Sequence, residues 1–315
     1  MSFSIEEIED QFTPDLTPPD PNKLYFISPE YKSNGLNLLH KCVLLNRKHP
    51  ELLKKIINDY DINSQINKGQ TALMIAISNS YNNSTEETVK ILIESKANLN
   101  LQNKNGSTAL MLASNNSNKD STEGTVKILI ESRANIDLRN IDGYTAIMLA
   151  SENSTGETVK MLIENKANLD LQCTDGWTAI MLASRYSIEE TVKMLIESKA
   201  NIDLRNIDGY TAIMLASRYS TEETVKMLIE NKANLDLQNN NGETVYMLAP
   251  NNIKDFILNY INIEALNEKY FNGNILATKI HDYYKQKMQL IKKVILEDIS
   301  KGKISIINGL TSQYL

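Results

Sequence analysis

Three histidines and two cysteines in 315 residues leave little material for metal or thiol chemistry. His40, His49 and His281 do not stand at the spacings of a metal-ligand set. Cys42 and Cys173 lie far apart and show no disulfide-like or zinc-like pattern, which fits a reducing, intracellular and cytoplasmic setting. No apolar run approaches the ~18 residues that a membrane span needs. The stretch from Met1 to Asp10 is acidic (Glu6, Glu7, Glu9, Asp10), whereas a secretory signal needs a basic start and an apolar segment. An excess of basic residues is also missing. Lys and Arg number 33 against 39 Asp and Glu, a net charge of -6, so there is no electrostatic footprint for a phosphate backbone and no nucleic-acid partner is expected. There is no phosphate-cradling glycine loop and no nucleophile beside a base. Acidic pairs such as Glu222-Glu223 open helices, where they favour the dipole. The sequence therefore predicts no enzyme active site, no metal and no cofactor.

What is present is repetition. Gly35, Gly69, Gly106, Gly143, Gly176, Gly209 and Gly242 recur at steps of 34, 37, 37, 33, 33 and 33. After the central five glycines comes a residue of variable type, then Thr-Ala, Leu or Ile, Met, Leu or Ile, and Ala. The copy after Gly242 is partly decayed, and that after Gly35 is decayed further.

One unit, residues 206–238, shows why the period exists. Asn206 to Gly209 is turn chemistry, with a glycine able to take positive φ. Thr211 is placed to cap a first helix carrying Ile213, Met214, Leu215 and Ala216. Ser220 with Glu223 reads as a capping box for a second helix, as do Ser84 with Glu87, Ser154 with Glu157 and Ser187 with Glu190. Val225, Leu228 and Ile229 make one apolar face of that second helix. Two short helices cannot bury such faces alone, whereas stacked neighbours can. Met111, Met148, Met181, Met214 and Met247 then fall in the core. The units at Gly69 and Gly106 carry four extra residues between their helices, Asn- and Ser-rich and expected as exposed loops.

This period and order resemble the ankyrin repeat, over residues 34–262. The resemblance implies an all-α solenoid of helix–turn–helix units with β-turn tips and a C-terminal helical cap. The family's Thr-Pro-Leu-His tetrapeptide reads here as Thr145-Ala-Ile-Met and its equivalents, and His40 falls at the family histidine position. The family glycine after the second helix is replaced by Lys96, Arg133, Lys166, Lys199 and Lys232, each costing about 1 kcal/mol if the left-handed geometry is kept. The Asn-, Ile- and Lys-rich repeat phrase is also similar to ankyrin proteins of giant DNA viruses of amoebae, of the mimivirus type.

The chain divides into an acidic, proline-containing arm (1–33), seven repeats (34–262) and a C-terminal helical extension (263–315). The arm reads as a solvated tail or a short linear motif. The extension reads as a cap over the exposed end of the solenoid, as a docking helix, or as a membrane-surface helix, the last opposed by Glu297 and Asp298 in its basic face.

The resemblance further implies that the turn tips and first helices form a concave binding surface. Tyr144, Trp177 and Tyr210 occupy equivalent positions just after the tip glycines, with Arg185, Tyr186, Arg218 and Tyr219 just past the first helices. Ile141, Asp142, Thr174, Asp175, Ile207 and Asp208 flank the glycines, and Arg139 and Arg205 lead into the tips. Tyr, Trp and Arg dominate interface energetics. The three rings are expected as an exposed row roughly 20 Å long at a unit spacing of about 8–10 Å. Duplication of one ancestral tyrosine is the competing explanation of the row. The expected function is a monomeric, noncatalytic protein-binding scaffold. The alternatives are a substrate adaptor recruiting a ubiquitin ligase through its C-terminal helices, and a structural component of a virus particle.

Overall fold

The computed structural model describes residues 38–45, 53–54, 57–66, 68–78, 86–115, 120–153 and 156–260. Among the described residues the chain is entirely helical, without a strand. Helix α1 is Leu38–Leu45. Paired helices follow: α2 Ala72–Ser78 with α3 Glu86–Glu94, and α4 Ala109–Asn115 with α5 Asp120–Glu131. Next come α6 Ala146–Asn153 with α7 Gly156–Glu164, and α8 Ala179–Arg185 with α9 Glu189–Glu197. Then come α10 Ala212–Tyr219 with α11 Glu222–Glu230, and α12 Val245–Leu248 with α13 Asn251–Tyr260. The N-terminal arm, the C-terminal extension and most of the two loop insertions (79–85 and 116–119) lie outside the described residues.

The two helices of a unit are built for different surroundings. The first, inner helix is apolar all round: in α8, Ala179, Ile180, Met181, Leu182, Ala183 and Ser184 are all buried. Such a helix belongs between neighbours on several sides. Each inner helix from α1 to α12 packs on the next inner helix. The second, outer helix is amphipathic. In α9, Thr191, Val192, Leu195 and Ile196 are buried while Lys193 and Glu197 face water. One continuous core runs through the stack, and Met111, Met148, Met181 and Met214 lie in it at 1% exposure, whereas Met247, expected with them, is only half-buried in the short α12. His40 is buried with Nε2 3.1 Å from the Ser64 carbonyl, a structural hydrogen bond.

Helix ends show where local chemistry departs from the sequence reading. Thr71, Thr108 and Thr178 accept from the amides of Met74, Met111 and Met181 at 3.3, 3.2 and 3.4 Å. Thr211 is the N-cap of α10 without making that bond. The expected capping boxes at Ser220 and Ser187 do not form. Ser220 ends α10, and the cap of α11 is Thr221, whose hydroxyl accepts from the Thr224 amide at 3.3 Å. The helix begins one residue later than the Ser–Glu spacing suggests, so Thr224 rather than Glu223 takes the third position. Ser187 has φ +61°, outside the extended conformation that an N-cap adopts, and its hydroxyl donates to the Tyr219 carbonyl at 2.8 Å. The cap position of α9 therefore falls to Ile188, which has no cap hydrogen bond. Pro250 shortens α12, since the residue before a proline is pushed out of the helical region and Ala249 is extended at ψ 141°.

Every outer helix from α3 to α11 ends in the same double bond. In α9 the Lys199 amide donates to the Ile196 carbonyl (2.9 Å) and the Ala200 amide to the Leu195 carbonyl (3.0 Å). This is the Schellman arrangement, which needs a left-handed residue at the position of Lys199. Lys96, Arg133, Lys166, Lys199 and Lys232 take φ between +64° and +69°, so the left-handed geometry is kept without glycine.

Candidate functional site

The tips carry a hydrogen-bond pattern that recurs from unit to unit. In the tip at Gly143, the Asn140 side-chain oxygen accepts from the amides of Asp142 (3.1 Å) and Tyr144 (2.7 Å). The Ile141 amide donates back to the Asn105 carbonyl of the preceding tip (3.1 Å), and Thr174, Ile207 and Asn240 repeat that bond onto Asp142, Asp175 and Asp208. Consecutive tips thus form a backbone zipper. A Cβ on Gly176 would come within 2.8 Å of Asn206 Cα in the next tip, so φ +77° and close approach both require glycine there.

A second ladder locks the tips from the side. Gln102 Nε2 donates to the carbonyls of Gly106 (2.6 Å) and Arg139 (2.8 Å), and Gln172 does the same to Gly176 and Arg205. Arg139 takes this role in its own unit, Nε donating to the Gly143 carbonyl at 3.3 Å and Nη2 to that of Gln172. Arg205 Nε likewise bonds the Gly209 carbonyl at 3.3 Å. These arginines hold tips together through their own hydrogen bonds. A third ladder runs through the Asn-x-Asp segments, where Asn168, Asn201 and Asn234 amides donate to Asp137, Asp170 and Asp203 of the preceding unit at 2.9, 2.7 and 2.9 Å.

Tyr144, Trp177 and Tyr210 are half-buried and pack against the core, which corrects the expectation of an exposed row. Each ring sits one residue before the capping threonine, so it folds onto the start of the inner helix. Burial, with the neighbouring Cys173 and Glu152 adding to it, pushes the Tyr144 phenol up to about 12. The exposed residues are those at the ends of the inner helices, Arg185, Arg218 and Tyr219 in their last turns and Tyr186 at the C-cap. Tyr186 and Tyr219 are 47% and 48% exposed, and Arg185 and Arg218 face water beside them. At the tips Ile141 and Ile207 are 68% and 60% exposed, high values for such apolar side chains.

Five of the seven residues singled out from sequence form one contiguous cluster. The Arg185 guanidinium lies 5.1 Å from the Trp177 ring centroid, 5.8 Å from that of Tyr219 and 5.9 Å from that of Tyr186. Arg218 lies 5.4 Å from the Tyr219 ring. These are cation–π distances. Tyr186 bonds back to Glu152 of the preceding unit, and its phenol pKa is raised chiefly by that hydrogen bond. Tyr144 and Tyr210 both pack on the core beside this group.

A register rule emerges that the sequence reading missed. The side chain ten residues after a tip glycine meets the side chain nine after the preceding one. Tyr186 meets Glu152, Tyr219 meets Arg185, and Asn153 Nδ2 donates to Asn115 Oδ1 at 3.1 Å. Glu152 was detectable only by laying units side by side at these offsets.

Among the described residues no three His, Cys, Asp or Glu side chains gather as metal ligands would, and no helix is long and apolar enough to cross a membrane. Both cysteines are free and buried, and burial pushes the Cys42 thiol up to about 12.

No match was found among curated proteins. Among solved structures the chain is similar to the ankyrin repeat domain of Bcl-3, described as a unique member of the IkappaB protein family. The identity is 22% and the TM-score 0.61, over 71% of this chain and 99% of that one. It is similar to the human ASB11 ankyrin repeat domain at 24% identity and a TM-score of 0.59, over 71% of this chain and 97% of that one. At these identities the likeness concerns the fold. The family model described as "Ankyrin repeats (3 copies)" matches three times, over residues 39–123, 117–206 and 198–266. With the tip zipper and the paired helices, these matches show that the chain belongs to the ankyrin-repeat family.

Proposed function

We propose that this chain is a noncatalytic scaffold that captures a protein partner on the face built from its tips and inner helices. Ankyrin repeats are in general protein–protein interaction modules. The observation that supports a particular site is the cluster of Trp177, Arg185, Tyr186, Arg218 and Tyr219. Aromatic and arginine side chains held near one another across neighbouring units, all exposed but the half-buried Trp177, are the composition of a binding hot spot. Tyr144 and Tyr210 flank the cluster as half-buried supports, and Ile141 and Ile207 extend its apolar area along the tips.

In this reading the chain acts as a monomer in a reducing, intracellular compartment, without cofactor. The similarity of its repeat phrase to ankyrin proteins of amoebal giant viruses makes a host protein the first partner to test. Affinity purification of the full chain from cells, followed by mass spectrometry, tests the site when repeated with Tyr219→Ala and with Lys193→Ala on the outer helices. Partners kept by Lys193→Ala and lost with Tyr219→Ala support the surface. Partners lost with neither, or with Lys193→Ala alone, move the site elsewhere. Recovery of ligase subunits through residues 263–315, or of capsid proteins, would favour the adaptor or the virion reading instead.

A further inference from the structure

The charges on this face are unevenly satisfied. Ion pairs on the outer helices join Lys90 to Glu86, Lys160 to Glu157 and Lys226 to Glu223. Arg185 and Arg218 belong to none of them. The carboxylate at the matching inner-helix position, Glu152, is engaged by the Tyr186 hydroxyl. Both guanidiniums are held near rings, Arg185 5.1 Å from the Trp177 centroid and 5.8 Å from that of Tyr219, and Arg218 5.4 Å from that of Tyr219, while both residues stay exposed to solvent. A planar fork held in this way loses little freedom on binding, and its geometry matches a carboxylate. The tip carboxylates of Asp142, Asp175 and Asp208 are exposed at the outer edge of the same face. The face thus has a cationic, ring-supported centre and an acidic rim, in a chain whose net charge is -6.

We infer that the occupant of this face is a partner segment bearing an Asp or Glu carboxylate, flanked by apolar residues, which Arg185 and Arg218 receive while the rings of Trp177 and Tyr219 take the apolar flank. The inference rests on the reading that this face is the binding surface. A segment with a basic centre would bring its charge against two guanidiniums as docking excludes water from the face, and such like-charge juxtaposition is unfavourable.

The test is selection of a random dodecapeptide display library on the folded full-length chain, with each clone then scored on variants whose helix content matches the parent. The expected clones bind the parent, lose binding on Tyr219→Ala and on Arg185→Gln with Arg218→Gln, and carry Asp or Glu. Replacing that carboxylate by its amide in a synthetic peptide should weaken binding about tenfold or more. Arg185→Lys should fall between parent and Gln variant, since it keeps the charge and loses the fork. The triple change Asp142→Asn, Asp175→Asn, Asp208→Asn should leave binding unchanged or tighten it. Clones that lose binding on Tyr219→Ala yet are basic or neutral, or that weaken when the rim carboxylates are removed, would overturn the inference and leave the surface standing. Clones insensitive to Tyr219→Ala and to the arginine changes, or no clones at all, would overturn both.

Discussion

The left-handed residues that close the outer helices give a quantitative test of the fold. At each of five sites a lysine or arginine holds φ between +64° and +69° within a Schellman closure. A side chain with a Cβ is less stable there by roughly 1–2 kcal/mol. Glycine removes that strain but brings a more flexible unfolded chain, a loss of about 0.5–1 kcal/mol. Lys199→Gly should therefore gain about 0.5–1 kcal/mol. The sites sit in successive units, far enough apart for near-additivity, so the five changes together should gain roughly 2–5 kcal/mol. Lys199→Ala supplies the control, because it removes the charge and keeps the strain. The single tryptophan, Trp177, lies in the same unit as Lys199, so denaturant unfolding can be followed by its fluorescence and, for the whole stack, by circular dichroism. Equal stability of the Gly and Ala variants, or a loss on Lys199→Gly, would show that the positive φ carries no strain and would refute the reasoning.

Two further substitutions test local features. Ile188→Thr should stabilise by about 1 kcal/mol, because it restores to α9 the cap that Thr221 gives α11, and Thr221→Ala should lose a similar amount by thermal unfolding. Gly242→Ala should cost about 1 kcal/mol of strain at φ +75°, since among the described residues nothing lies within 4 Å of the added Cβ. Gly176→Ala should cost clearly more in the same assay, because its Cβ would also push the backbone of Asn206 and Ile207 away.

The solenoid was legible because its information is periodic. Seven glycines in register, capping threonines and an apolar inner helix are enough to specify stacked units, and the structure adds only detail to them. The capping box at Ser220 misled because Thr221 stands beside that serine, and spacing alone does not say which hydroxyl is the cap; Ser84 and Ser154 lie outside the described residues. In the unit at Gly176 the second hydroxyl is missing, Ile188 stands in its place, and Ser187 turns left-handed to bond Tyr219. The rings at Tyr144, Trp177 and Tyr210 were placed on the right elements with the wrong exposure. A residue between a tip and a cap can point to solvent or fold onto the helix, and that choice depends on the neighbouring unit. The tip ladders were invisible for a similar reason: Gln102, Arg139 and Gln172 are polar residues in a polar segment, and only stacking shows that their donors are already engaged.

Duplication remains the competing account of the aromatic row, and the register rule bears on it. A passive copy repeats the same residue at the same position. At the ninth and tenth residues after the glycine the units at Gly176 and Gly209 share Arg-Tyr, as a copy would, but the unit before them carries Glu152 and Asn153 and the one before that Asn115. Those residues change together: amide meets amide, carboxylate meets phenol, and guanidinium meets ring. Each pair is chemically matched although its members lie in different repeats. The buried positions between them, Ala150, Ala183 and Ala216, stay the same. Matching of partners across units on a solvent-facing ladder is what the proposed binding face would need. It also means the cluster responds as a unit: removing Tyr219 takes a ring from both Arg185 and Arg218, so double-mutant cycles between these positions should be strongly non-additive.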